Sequence, residues 1–91
     1  MEKEIITSTQ NPKIKRLIQL QQKSAERKSA GLFVVEGARE VLHCLHSGYE
    51  LSTLFVCPEI LEGYEGAAEL LSLVRQGHGY EVSPKVYRRV A

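Results

Sequence analysis

Apolar residues recur along the chain with two periods, and the alternation between them predicts most of the fold. After Pro12, Ile14, Leu17 and Ile18 share one face at helical spacing, while Lys13, Lys15, Arg16 and the glutamines fall largely on the others. Asn11 is placed to cap this helix, and Pro12 suits its first turn, where no N–H donor is needed. The polar run from Gln21 to Ala30 either ends the helix or extends it loosely. Gly31 then introduces Leu32-Phe-Val-Val35, a run apolar at every position that stops at Glu36-Gly37, as a strand buried on both faces would. Leu32–Glu36 is therefore predicted as a central strand. Glu36 is placed to brace the strand-to-helix turn by accepting backbone N–H bonds, and Gly37 to let another backbone approach closely.

Ala38, Val41, Leu42, Leu45 and Tyr49 follow the 3.6-residue period, and Gly48 supplies a stop, which predicts a second helix packed on the sheet. Leu54 to Cys57, ended by Pro58, repeats the buried-strand pattern. The turn from Gly63 to Gly66 leads to a third helix with Ala67, Leu70, Leu71 and Val74 on one side, broken by Gly77 and Gly79. Tyr80-Glu-Val82 reads as a short third strand, and Ser83-Pro84 as the start of a last helix bearing Val86, Tyr87 and Val90. The order αβαβαβα implies an α/β fold: a three-layer α/β/α sandwich with a mostly parallel sheet and right-handed crossovers. No internal repeat or low-complexity segment stands out.

Charge sharpens this picture. Residues 1–30 carry seven Lys and Arg against three Glu, a net +4, while residues 31–91 carry five against eight, a net −3. Cations clustered on one helix neutralise phosphates and release condensed counterions, so the split points to a polyanion at the N-terminal helix, with a solvated helix face as the plain alternative. The 91 residues bound one domain with a single core, short for a complete enzyme. The last helix has barely begun at Ala91, so residues 1–91 are expected to be the N-terminal part of a longer protein. No apolar run is long enough to span a bilayer and no signal-peptide pattern opens the chain; the expectation is a cytoplasmic protein with no membrane partner. Cys44 and Cys57, both in apolar surroundings, read as reduced core thiols.

The motifs of nucleotide-binding and nucleophilic enzymes are absent, as is a paired C-x-x-C zinc site. His43 and His46 share a helix face, but no acidic or cysteine ligand stands at matching spacing, so no metal is expected; His78, between two glycines, reads as a loop residue. No second acid, nucleophile or histidine is placed to work with Glu36, and no catalytic residue is assigned. The cations have structural readings too: Lys15 and Arg16 as solvation of the first helix, Arg27 paired with Glu26 or Glu36, and Arg39 with an acid on its own helix.

The pieces Asn11-Pro-Lys-Ile-Lys15, Arg27…Gly31-Leu-Phe33 and Val35-Glu-Gly-Ala-Arg39 stand in one order with fixed spacing. Together they closely resemble the N-terminal substrate-binding domain of the SpoU family of RNA 2′-O-ribose methyltransferases, from Ile5 to Val90. The resemblance implies the α/β/α fold of the kink-turn-binding ribosomal proteins. It also implies recognition of structured RNA, ribosomal or transfer, and a parent enzyme that takes its methyl group from S-adenosylmethionine bound in a separate C-terminal knotted domain. That catalytic domain is missing here, so this chain alone is expected to bind no cofactor and to be inactive; the parent's homodimer would form mainly through the missing domain. Asn11, Lys13, Lys15, Arg16, Arg27 and Arg39 are expected to contact RNA, with Phe33, Glu36 and Gly37 supporting that edge and Phe33 packed in its strand. The alternatives are a free-standing RNA-binding module of the same fold and a protein-interaction domain.

Overall fold

The computed structural model describes residues 5–91. Three short strands, β1 (Ile5–Ile6), β2 (Leu54–Val56) and β3 (Gly79–Val82), form an all-parallel sheet in the order β1-β3-β2. Parallel neighbours cannot be joined by a tight hairpin, so helices fill the connections. Between β1 and β2 run α1 (Pro12–Gln22), α2 (Ser24–Ala30) and α3 (Ala38–His46). Between β2 and β3 come α4 (Pro58–Leu61) and α5 (Ala67–Leu73), and α6 (Pro84–Val90) follows β3.

Successive strand residues feed two separate cores, because side chains alternate across a sheet. On one face Ile6, Cys57 and Val82 close over Ile14 of α1 and Val86 of α6, with Ile18, Phe55, Tyr80, Tyr87 and Val90 packed around them. Ile14 and Val86 are both 0% exposed, which makes α1 and α6 the layer most firmly tied to the sheet. On the other face Leu54 and Val56 meet Leu61, Leu70 and Val74, with Val41, Leu42 and Leu45 of α3 closing the cluster. The expected α/β class, parallel sheet and helices on both faces are all present. No helix among the described residues is long and apolar enough to cross a membrane.

The predicted order αβαβαβα needs one correction. Leu32–Glu36 is not a strand: it runs as an irregular segment between Gly31 (φ 69°) and Gly37 (φ 94°), and none of its residues enters the sheet. Four apolar residues in a row satisfy the pattern of a buried strand, but a strand exists only where a neighbour takes its N–H and C=O groups, and among the described residues none lies beside it. The third strand is instead β1, at an edge, where Ile5 and Ile6 pair with Glu81 and Val82, and the central position belongs to β3. Two residues are too few to show a period.

The remaining differences are at boundaries. Lys23 leaves the helical region (φ −119°, ψ 108°) and separates α1 from α2, which then ends on left-handed Gly31. Pro58 ends β2 as expected but also opens the one-turn helix α4, the favoured role of proline at a first helical position. Helix α3 stops at His46, so Tyr49 lies beyond it and is 57% exposed rather than on the packed stripe. Helix α5 runs on into a wide turn, Val74–His78, opened by Gly77 at φ 93°.

Candidate nucleic-acid interface

Helix α1 is built to present cations. The Asn11 side chain accepts a hydrogen bond from the Lys13 N–H at 2.9 Å, Pro12 occupies the first turn, and Ile14 and Leu20 sink into the protein. With those positions fixed, Lys13, Lys15 and Arg16 project from the exposed side. The Lys13 ammonium stands 5.1 Å from the centre of the Tyr80 ring, close enough for a cation–π attraction that restrains it without neutralising it. Arg16 is partly engaged: its Nη1 lies 3.3 Å from Glu26 Oε2 on α2, in a pair exposed to solvent on both sides. Neither Lys13 nor Lys15 has a carboxylate partner among the described residues.

Arg27, Phe33 and Glu36 gather elsewhere, around an open cleft of about 480 Å³ that is also lined by Gln21 and Val34. Arg27 Nη1 donates to the carbonyls of Leu20 (2.7 Å) and Gln21 (3.1 Å), satisfying the C-terminal end of α1 instead of pairing with Glu26 or Glu36. Glu36 does not accept backbone N–H bonds from α3, whose N-terminus has no side-chain cap. Its Oε1 accepts from Gln21 Nε2 at 2.9 Å, and the same Gln21 nitrogen donates to the Val90 carbonyl at 2.6 Å, so one amide ties the Glu36 turn to the end of α6. Gly37 at φ 94° supplies a turn that an L side chain would strain, and nothing packs within 4 Å of where its Cβ would be, so its requirement is conformational rather than close approach. Phe33, expected inside a strand, is 57% exposed and meets Tyr49 edge-on at 5.2 Å.

Arg39 is exposed at the start of α3, which packs on the opposite sheet face from α1. The structure therefore brings Asn11, Lys13, Lys15 and Arg16 together, gathers Arg27, Phe33, Glu36 and adjacent Gly37 at the cleft, and leaves Arg39 in the other layer. His46 Nε2 lies 2.8 Å from Glu69 Oε2, an exposed bridge between α3 and α5. Among the described residues no three His, Cys, Asp or Glu side chains are grouped to hold a metal ion. Cys57 is buried in the core and Cys44 half-buried, both as free thiols. What the sequence reading passed over is α6: its Lys85, Arg88 and Arg89 are all exposed, and the helix packs beside α1.

The first helix bears cations after an Asn-Pro cap, an arginine closes that helix, and a glycine-bounded turn follows. The MRM3-like substrate binding domain matches residues 11–91. The chain belongs to this family. MRM3-like substrate-binding domains are the N-terminal substrate-binding domains of SpoU-type RNA methyltransferases, so the chain serves a substrate-binding role in an RNA methyltransferase, with RNA as the partner. No curated protein and no solved structure matches the chain. The MRM3-like match begins at Asn11, the residue that caps α1, and takes in every cation from Lys13 to Arg89.

Proposed function

We propose that this domain docks a structured RNA, ribosomal or transfer, and aims one ribose at the catalytic domain of a cytoplasmic, S-adenosylmethionine-dependent 2′-O-methyltransferase. The observation that carries the reading is the match to a substrate-binding domain over residues 11–91, joined to a helix whose exposed side is cationic. Methylation of a ribose oxygen demands that one hydroxyl among many be held in line with the methyl donor, and gripping the RNA away from the reacting atoms supplies that order in advance. Lys13, Lys15 and Arg16 contact phosphates, Asn11 fixes the start of their helix, and Arg39 contributes from α3. Arg27, Phe33, Glu36 and Gly37 support the edge.

S-Adenosylmethionine belongs to a separate catalytic domain, through which the parent also dimerises. The chain alone is inactive on this reading. The test is fluorescence anisotropy with labelled ribosomal and transfer RNA fragments at two salt concentrations, on wild type and on the combined Lys13→Ala, Lys15→Ala, Arg16→Ala variant. Salt-dependent binding of wild type to one RNA, lost in the variant with an unchanged melt, supports the reading and identifies the substrate class. Equal binding by both proteins, or association with protein partners and no RNA affinity, overturns it.

A further inference from the structure

The charge split of the sequence, basic before residue 30 and acidic after, does not survive folding. Of the five cations in the acidic part, three, Lys85, Arg88 and Arg89, fall on α6, and α6 has no acid. β1 and β3 are parallel neighbours, α1 and α6 follow them, and both helices bury into the same core through Ile14 and Val86. The two helices are built alike: Asn11-Pro-Lys-Ile and Ser83-Pro-Lys-Val each begin with a side-chain cap, a proline in the first turn, a lysine on the exposed side and a fully buried β-branched residue.

We propose that α6 is the second half of the RNA-docking surface, with Lys85, Arg88 and Arg89 joining Lys13 and Lys15 of α1 in one strip that takes the backbone phosphates of a folded RNA. The inference rests on the RNA reading above and adds to it residues that the basic N-terminal segment does not contain. Packed helices stand about 8–10 Å apart, so side chains as long as Lys and Arg from both reach a common surface. No carboxylate neutralises Lys85, Arg88 or Arg89 among the described residues, and the one ion pair in this layer, Arg16 with Glu26, is on the α2 side of α1.

The surface chemistry favours a polyanion over a protein. A protein interface concentrates aromatic and apolar anchors at its centre, whereas phosphate binding needs only cations and donors. The exposed large apolar residues, Ile5, Phe33, Tyr49 and Tyr64, all lie off α1 and α6, and the exposed positions of those helices after their prolines are Lys, Arg or Gln. Arg88 and Arg89 add planar forks suited to phosphate oxygens.

The test measures the affinity of the chain for a labelled RNA hairpin across a salt series, for wild type and for Lys85→Ala/Arg88→Ala/Arg89→Ala. The proposal expects about a tenfold or greater loss of affinity at low salt, and a slope of log affinity against log salt reduced by about two to three. The milder pair Arg88→Gln/Arg89→Gln, which keeps polar side chains but removes two of the three cations, is expected to show about two-thirds of that slope change. Arg75→Glu, a charge change in the turn after α5, is expected to bind like wild type within about twofold. Wild-type affinity and slope in the α6 variants, with binding still lost on substituting Lys13 and Lys15, would overturn the role of α6 and leave the RNA reading standing. A loss in Arg75→Glu as large as in the α6 variants would also overturn it, since net charge alone would then account for the effect. Absence of RNA binding by the wild type, or capture of an acidic protein instead, would overturn both.

Discussion

The tripeptide Leu-Phe-Val occurs twice in this chain and folds in two ways. Leu54-Phe-Val56 is β2, with Leu54 and Val56 buried on one face of the sheet and Phe55 stacked on Tyr80 at 5.8 Å on the other. Leu32-Phe-Val34 is irregular, with Phe33 mostly in solvent against Tyr49. Residue preference is the same in both copies, so it cannot be what separates them. β2 is held because Leu54, Phe55 and Val56 lie in register with Gly79, Tyr80 and Glu81, while the other copy has no such neighbour. Strand formation here belongs to the pair, which is why β propensity depends so strongly on context.

The largest loss should follow from removing what makes β2 a strand. Gly79 is paired with Leu54, and a Cβ placed on it would strike the Leu54 carbonyl oxygen, a backbone atom that cannot swing aside. Gly79→Ala should therefore force β2 and β3 apart and cost on the order of 3 kcal/mol, as overpacking does where the neighbour is rigid. Chemical denaturation would read it; a midpoint equal to wild type would mean that the two strands are not this close. Gly37→Ala, where a Cβ meets nothing but the backbone stands at φ 94°, should cost only about 1 kcal/mol by the same measurement.

The two phenylalanines sharpen the contrast within one residue type. Phe55→Ala removes a ring packed against the core of Ile14 and Val86, and should cost about 2–3 kcal/mol, below a fully buried phenylalanine because Phe55 is only half-buried. Phe33→Ala should cost less than about 1 kcal/mol, most of it the edge-on contact with Tyr49. Equal losses at both sites in paired thermal melts would show that Leu32–Glu36 is packed as firmly as β2, and the irregular segment would have to be abandoned.

This comparison also marks where the sequence was legible. The caps at Asn11 and Ser83, the prolines behind them and the stripe of α3 from Ala38 to Leu45 are local signals carried by nearby residues, and each stands where it was expected; only Tyr49 falls off that stripe. The Leu32–Glu36 strand and the missing β1 are errors about pairing, which depends on residues more than 70 positions apart, as Ile6 and Val82 are. At the candidate interface the same division holds. The cations of α1 follow from helical spacing, but the role of Arg27 as a cap for α1, and the nearness of α6 to α1, depend on how the helices fold back. A likeness of four residues between Asn11-Pro-Lys-Ile and Ser83-Pro-Lys-Val is too short to register as a repeat; only their packing side by side gives it meaning.

The smallest effect expected is at Glu36, and it separates a brace from a convenience. Had its carboxylate accepted buried backbone N–H bonds from α3, truncation would cost about 1–3 kcal/mol, because the orphaned donors would have no water. Instead Glu36 is exposed and meets only the Gln21 amide, which keeps its bond to the Val90 carbonyl when the carboxylate is gone. Water can replace an exposed acceptor at little cost, so Glu36→Ala should lose no more than about 0.5–1 kcal/mol. Gln21→Ala should lose more, since it releases the end of α6 together with the Glu36 turn. Denaturation of the two single variants and the double variant decides the matter. If Glu36→Ala costs as much as Gln21→Ala, the amide holds α6 only while the carboxylate orients it. If the smaller loss holds, the polar tie beside the Ile14–Val86 core is a single glutamine spanning residues 36 and 90.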